Sequence, residues 1–167
     1  MKSFLILVLI FLSAVSQAKV DSLSTKKNSF YLELLGIAGY ASLNFEREFI
    51  QIKKVKIGAR LGISTYNFTD FTAQFNPDII IPLSINALYG NKHNLELGLG
   101  QVISALVKAN STTFSPERSI NIHPNFTIGY RYQKSSGGFM YRINYSPIIE
   151  FYKEYKHWGG ISIGYTF

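Results

Sequence analysis

From residue 29 onward, this chain consists of long segments in which apolar and polar residues alternate. A period of two is the pattern of a β-strand, whose successive side chains point to opposite faces of the sheet. Most of the eight segments are ten to thirteen residues long, whereas strands of soluble proteins are nearer five or six. They are SFYLELLG, ASLNFEREF, VKIGARLGISTY, DIIIPLSINALYG, NLELGLGQVISALV, NIHPNFTIGYRYQ, GFMYRINYSPII and HWGGISIGYTF. Because about nine to eleven tilted residues cross a bilayer, this length favours a transmembrane β-barrel.

The connections between these segments alternate in length. Residues 91–93 and 134–137 are tight polar turns, and residues 51–54 form a connection nearly as short. Longer loops are predicted at residues 67–77, 108–120 and 150–156. Short turns on one side and longer loops on the other are typical of outer-membrane barrels, in which the short side faces the periplasm. We therefore predict an eight-stranded antiparallel up-and-down barrel with both ends of its chain in the periplasm.

The strand count depends on the first hairpin, residues 30–49. The glycine-containing stretch GIAGY divides this region into two strands if it forms a turn. One long bulged strand over the same residues would instead leave an odd count. Both alternatives are compatible with the alternation.

The N-terminal residues have the features of a cleavable secretory signal peptide. Lys2 gives a positive start, residues 4–12 form an apolar run too short to span a bilayer, and residues 16–18 place small side chains at the cleavage site. A buried N-terminal helix is the alternative. Cleavage after Ala18 predicts a signal peptide at 1–18, a flexible lead-in at 19–28 and a barrel at 29–167. Because the chain contains no Cys, neither lipoprotein processing nor a disulfide framework is expected.

The composition argues against nucleic acid as a partner. The net charge is +7, but the basic residues are scattered and are not interleaved with stacking aromatic residues. Only 16% of the residues are charged, whereas Tyr and Phe are abundant. A soluble chain this aromatic would need many of those rings buried.

Alternation sorts each strand into two faces without saying which face lies inside. A soluble sandwich or lipocalin would use the apolar face as its core. The polar face is short in Lys and rich in Gly, Ser, Asn and Arg, which favours a cramped interior and places Ile128 and Ile143 outside. Aromatic residues also gather toward the strand ends, where interfacial girdles form. These are Tyr31, Phe49, Tyr89, Tyr130, Tyr132, Phe139, Tyr165 and Phe167.

Several motifs resemble those of the small outer-membrane β-barrel proteins of Bacteroidetes-type bacteria. They are SLNFERE, RLGIS, NLELGLG, IGYRYQ, GFMYRI with a following Pro147, and GISIGYTF. The resemblance covers most of the mature chain in matching order. It implies an outer-membrane location, contact with outer-membrane lipid, and no settled activity or catalytic residues. We expect a monomer.

The last strand resembles the signal that the barrel-assembly machinery reads. That signal has a final aromatic residue preceded by apolar residues at alternate positions, here Ile161, Ile163, Tyr165 and Phe167. The resemblance implies that this machinery is a partner during biogenesis. We also expect the strand to close the barrel against the first one.

By alternation, eight charged side chains point into the lumen. They are Glu33, Glu46, Glu48, Lys56, Arg60, Glu96, Arg131 and Arg142. An eight-stranded barrel is just wide enough for side chains to fill it, and an isolated buried charge is very costly. Arg suits such a site because its planar fork can bind carboxylates bidentately. We expect a structural network of salt bridges; a gated ion path or a ligand site is the functional alternative.

An enzymatic alternative centres on His123. This residue is predicted to point inward near the outer end of its strand, with Ser104 and Ser146 at comparable height on neighbouring strands. Lipid-modifying acyltransferases and deacylases combine His with Ser and a carboxylate, but Glu96 is predicted near the opposite rim and Glu117 in a loop. We therefore predict no catalytic, cofactor or metal site. The alternatives are a lipid-modifying outer-membrane enzyme and a soluble periplasmic lipid-binding β-barrel.

Overall fold

The computed structural model describes residues 25–65, 79–109, 116–147 and 157–167. Its eight strands form a closed antiparallel barrel in which each strand pairs with its sequence neighbours and β1 pairs with β8, which confirms the predicted fold. The strands are β1 (Asn28–Leu35), β2 (Ala41–Ile52), β3 (Val55–Ser64), β4 (Ile79–Gly90), β5 (His93–Ala109), β6 (Pro116–Tyr132), β7 (Gly138–Tyr145) and β8 (Gly159–Thr166). The predicted signal peptide, 1–18, lies outside the described residues. No helix in the described ranges is long and apolar enough to span a membrane.

The first hairpin contains two strands and not one long strand. Residues 36–40 separate β1 from β2, and the turn is closed by a 2.8 Å hydrogen bond from the Leu35 N–H to the Tyr40 carbonyl. Gly36 has a φ of +93°, and a Cβ at this position would lie 2.4 Å from the carboxyl carbon of Glu33. Only glycine fits both the backbone conformation and the space, so this residue fixes where β1 ends.

The two ends of the barrel differ. The connections at residues 53–54, 91–92 and 133–137 lie at one end, which we call the turn end. Residues 36–40 and the C-terminal ends of β3, β5 and β7 lie at the other, which we call the loop end. The predicted loops at 67–77 and 150–156 lie outside the described residues.

The predicted loop at 108–120 is wrong over most of its length. β5 and β6 are each 17 residues long, and their pairing continues through Lys108 opposite Glu117 to Ala109 opposite Pro116. Ladder pairing uses backbone N–H and C=O groups, so it extends past the point where side chains stop alternating in polarity. A boundary drawn from side-chain polarity alone therefore ends too early.

The apolar residues lie on the outside of the barrel and the polar residues on the inside. Ile128 and Ile143 are 41% and 63% exposed, whereas Lys56, Arg60 and the other inward charged side chains are buried. In the described part of the chain, the buried hydrophobic residues are only Tyr31, Ala38, Ile80, Leu88 and Met140. This arrangement is the inverse of a soluble β-barrel, whose apolar face forms the core.

Aromatic residues form part of the outer surface at the turn end. Tyr89, Tyr130, Phe139, Tyr165 and Phe167 are exposed there. The prediction of Tyr31 as another girdle residue is wrong, because this side chain points into the lumen and is 1% exposed. Tyr31 is two residues from the inward Glu33 on the same strand, so both side chains point to the same face of the sheet. This face, and not the distance to the strand end, decides where Tyr31 lies.

Candidate functional site

All eight predicted lumen charges lie inside the barrel and are buried. They come from six strands, namely β1, β2, β3, β5, β6 and β7. Four are acidic and four are basic, so the set is neutral as a whole. Six of them form one continuous network, which we call the lumen network: Glu33, Glu46, Arg60, Glu96, Arg131 and Arg142.

Arg131 on β6 is the centre of the lumen network because it binds two carboxylates bidentately. Its Nη1 and Nη2 donate to Glu46 Oε1 and Oε2 at 2.7 and 2.9 Å. Its Nε and Nη2 donate to Glu96 Oε2 and Oε1 at 3.0 and 2.9 Å. Glu46 lies on β2, four strands away in a ring of eight. The pair that Arg131 forms with Glu46 therefore spans the full width of the lumen.

Arg142 extends the network toward the loop end. Its Nε donates to Glu96 Oε2 at 2.9 Å, and its Nη1 donates to Glu33 Oε1 at 2.6 Å. Arg60 Nη2 donates to the other oxygen of Glu33. Carboxylates and guanidinium groups thus alternate from Glu46 through to Arg60. Every charge in the series contacts at least one opposite charge, which offsets the high cost of removing each from water.

Three asparagine side chains complete the bonding of these charges. Asn44 Oδ1 accepts from Arg60 Nε and Nη2 at 2.9 and 2.8 Å. Asn86 Nδ2 donates to Glu46 Oε2 at 2.9 Å, and Asn144 Nδ2 donates to Glu33 Oε1 at 2.8 Å. The predicted lumen set contained only charged residues and so did not include these amides. The alternation of each strand nevertheless places them on the inner face.

Two inward glycines make room for the amides. A Cβ at Gly62 would lie 2.3 Å from Asn44 Oδ1, and one at Gly98 would lie 2.6 Å from Asn86 Oδ1. Neither distance is compatible with a side chain larger than hydrogen at these positions unless the amides move. The glycine-rich inner face noted in the sequence therefore has a packing cause.

Tyr31 provides an aromatic surface for the three guanidinium groups. The Cζ atoms of Arg60, Arg131 and Arg142 lie 5.5, 5.8 and 5.8 Å from its ring centroid. These distances are within the range of cation–π attraction. The phenol hydroxyl donates to Glu46 Oε2 at 3.1 Å. Tyr31 is thus a member of the polar interior.

Glu48 and Lys56 lie nearer the turn end and bind neutral groups. Glu48 Oε1 accepts a 2.7 Å hydrogen bond from Gln133 Nε2. Lys56 Nζ donates to the backbone carbonyl of Asn91 at 3.2 Å. Within the described ranges no ion pair joins Glu48 to Lys56. Gln133 directly follows β6, so its bond to Glu48 on the opposite strand β2 adds a second crossing of the lumen.

His123 and Ser104 belong to the inner face of β5 and β6 toward the loop end. Among the described residues, the Nδ1 atom of His123 and the Oγ atom of Ser104 have no hydrogen-bond partner. Ser146 instead pairs with Thr127 Oγ1 at 3.1 Å and donates to Asn144 Oδ1 at 3.2 Å. Within the described contacts no carboxylate bonds to His123. Nor do the described residues include a group of three His, Cys, Asp or Glu side chains able to hold a metal ion.

The four residues of the predicted assembly signal face outward on β8 or just beyond it. Ile161, Ile163, Tyr165 and Phe167 are all exposed. β8 pairs with both β1 and β7, so it closes the barrel. The role of these residues in assembly stays a prediction.

Comparisons with known proteins agree with this architecture. No protein-family model matches the chain, and no curated protein sequence matches it. The N-terminal β-barrel domain of Pseudomonas aeruginosa OprF is similar with a TM-score of 0.54 and 14% identity, covering 86% of this chain and 98% of that one. Ail, the attachment invasion locus protein of Yersinia pestis, solved with the heparin analogue sucrose octasulfate, has a TM-score of 0.57 and 11% identity, covering 86% and 97%. The fold is therefore that of the eight-stranded outer-membrane barrels.

The lumen network predicts a large stability difference between two arginine substitutions. Arg131→Met leaves Glu46 and Glu96 without their shared cation, so it should lower the free energy of unfolding by about 3–5 kcal/mol. Arg47→Met makes the same chemical change on the outer face of β2, where Arg47 is exposed, and should have a much smaller effect. Urea titration of both variants refolded in detergent measures the difference. Equal losses would contradict the central place of Arg131.

Proposed function

We propose that this protein is an integral outer-membrane β-barrel protein whose filled lumen is structural and whose task is structural or surface interaction. The observation that carries the proposal is the orientation of the side chains. Large apolar residues are exposed on all eight strands, whereas buried charges occupy the interior. Contiguous apolar patches above a few hundred Å² are rare on soluble monomers. A bilayer is the solvent that suits this outer surface.

The closed sheet supports the same proposal through its backbone. Hydrocarbon provides no hydrogen-bond partner for peptide groups, so a sheet can span a bilayer only when it has no free edge. The pairing of β1 with β8 over residues 29–35 and 160–166 removes that edge. The similarity of the fold to that of OprF and Ail adds support.

Further details of the proposal come from the sequence. We propose export through the signal peptide at 1–18, a turn end in the periplasm and a loop end at the cell surface. The motifs that resemble Bacteroidetes-type barrels support membership of that family, and we propose a monomer without cofactor or catalytic site. The complex of Ail with a heparin analogue supports surface interaction as the class of task.

Cell fractionation and gel mobility test the membrane assignment. The protein should sediment with outer membranes and should run faster on a denaturing gel unboiled than boiled, because a closed barrel resists unfolding by detergent until it is heated. Recovery as a soluble periplasmic protein with a single gel mobility would overturn the proposal. It would favour a soluble lipid-binding barrel.

A substitution pair tests which face contacts lipid. Ile143→Arg places a charge on an outward position of β7, and near the bilayer midplane it should destabilise the barrel by about 2–4 kcal/mol. Thr127→Ser, on the lumen side of β6, keeps the hydroxyl that pairs with Ser146 and should have almost no effect. Denaturant titration in lipid vesicles measures both. A harmless Ile143→Arg would contradict the inside–outside assignment.

A further inference from the structure

A groove crosses the outer surface of β6, β7 and β8 at the turn end. It is open on its outer side, has a volume of about 720 Å³ and is lined by Tyr130, Tyr132, Lys134, Gly138, Phe139, Tyr141 and Tyr165. We call it the aromatic groove. The Tyr132 and Tyr141 rings lie 6.0 Å apart, and the Phe139 and Tyr165 rings lie 5.9 Å apart in an edge-to-face arrangement. A Cβ added at Gly138, at the mouth, would meet no atom of the described residues within 4 Å, so none of their side chains closes the groove there.

The side chains along the groove are ordered by polarity. Lys134 lies in the turn at 133–137, at the rim. In the adjoining parts of β6, β7 and β8, Tyr132 pairs with Tyr141 and Phe139 pairs with Tyr165. Farther from the turn end, Tyr130 pairs with Ile143, which pairs in turn with Ile161. From the rim to the middle of the barrel, a cation is therefore followed by aromatic rings and then by aliphatic side chains, an order that suits a glycerophospholipid with its phosphate at the rim and its acyl chain toward the middle.

The charge around the groove favours an anionic occupant. The described residues of the turn end carry six lysines and no acidic residue at 25–28, 49–55, 89–93 or 133–139: Lys26, Lys27, Lys53, Lys54, Lys92 and Lys134. Lys134 is exposed, and no ion pair in the described ranges involves it. Lys26 is held against the same turn, because its N–H donates to the Ser135 carbonyl at 2.9 Å. Two cations thus border the rim.

We propose that the aromatic groove binds one anionic glycerophospholipid of the adjacent leaflet. Lys134 and the phenol hydroxyls of Tyr132 and Tyr141 bind the headgroup phosphate, and the acyl chain lies along the rings toward Ile143. The inference rests on the proposed membrane function. A second copy of the chain fits the groove less well, because a twofold interface brings the same patch from both partners together and would place their lysines against each other.

Native mass spectrometry in uncharged detergent tests the site. The probe is palmitoyl-oleoyl phosphatidylglycerol, and the zwitterionic control is phosphatidylcholine with the same acyl chains. The wild-type protein should retain one phosphatidylglycerol at about one tenth of the concentration required for phosphatidylcholine. Lys134→Ala should abolish this preference, and Lys134→Arg should keep it. Lys54→Ala removes one positive charge from the turn opposite in the ring, between β2 and β3, and should keep it as well.

Three results would overturn the lipid site. Equal retention of the two lipids would exclude pairing with the headgroup charge. Equal loss in Lys134→Ala and Lys54→Ala would indicate a diffuse field of surface charge. A dimer that disappears in Tyr141→Ala would assign the groove to a second copy. The same samples are run unboiled and boiled on gels. A heat-shifted protein without bound lipid refutes the site alone, whereas a protein without the shift refutes the membrane proposal.

Discussion

The rest of the interior depends on the two salt bridges that Arg131 forms with Glu46 and Glu96. A barrel of eight strands leaves too little space for bulk water, so each charge placed inside must find its partners among protein groups. Arg131 satisfies this requirement for two carboxylates at once, with four hydrogen bonds of 2.7–3.0 Å. Arg142 and Arg60 then neutralise Glu33. If Arg131 were removed, Glu46 would lose the one cation that pairs with it among the described residues, whereas Glu96 would keep its bond from Arg142.

The neutral residues of the interior follow from the same constraint. Carboxylates have more acceptor sites than the arginines fill, and Tyr31, Asn86 and Asn144 supply further donors. Those amides need space, which Gly98 provides opposite Asn86. The inward face is therefore rich in Asn and Gly for reasons of bonding and volume. The outward face has no such requirement, and its apolar residues suit a solvent without hydrogen-bond partners.

The sequence predicted the architecture and the inward charges well, because one period of two residues determines both. Glu33 and Tyr31 are two residues apart on β1, so an inward Glu33 places Tyr31 inside as well. The prediction of Tyr31 as a girdle residue was wrong because it followed the position of Tyr31 along the strand and not the face to which its side chain belongs. The extension of β5 and β6 beyond the alternating region was not predictable in this way, since backbone pairing leaves no mark on side-chain polarity. The partners of each charge depend on which strands face each other across the lumen. A linear pattern does not contain that information.

We propose that the lumen is closed by hydrogen-bonded side chains and is not a permanent channel, because two side chains cross it to β2. Arg131 and Gln133 both reach across to β2, at Glu46 and Glu48. Single-channel recording of the purified wild-type protein in a planar bilayer tests this claim most directly. We predict no steady conductance, because the bridging side chains cross the lumen and an eight-stranded barrel is only wide enough for side chains to fill it. Large and stable single-channel steps would contradict it, and would show that the network opens or never forms in the membrane.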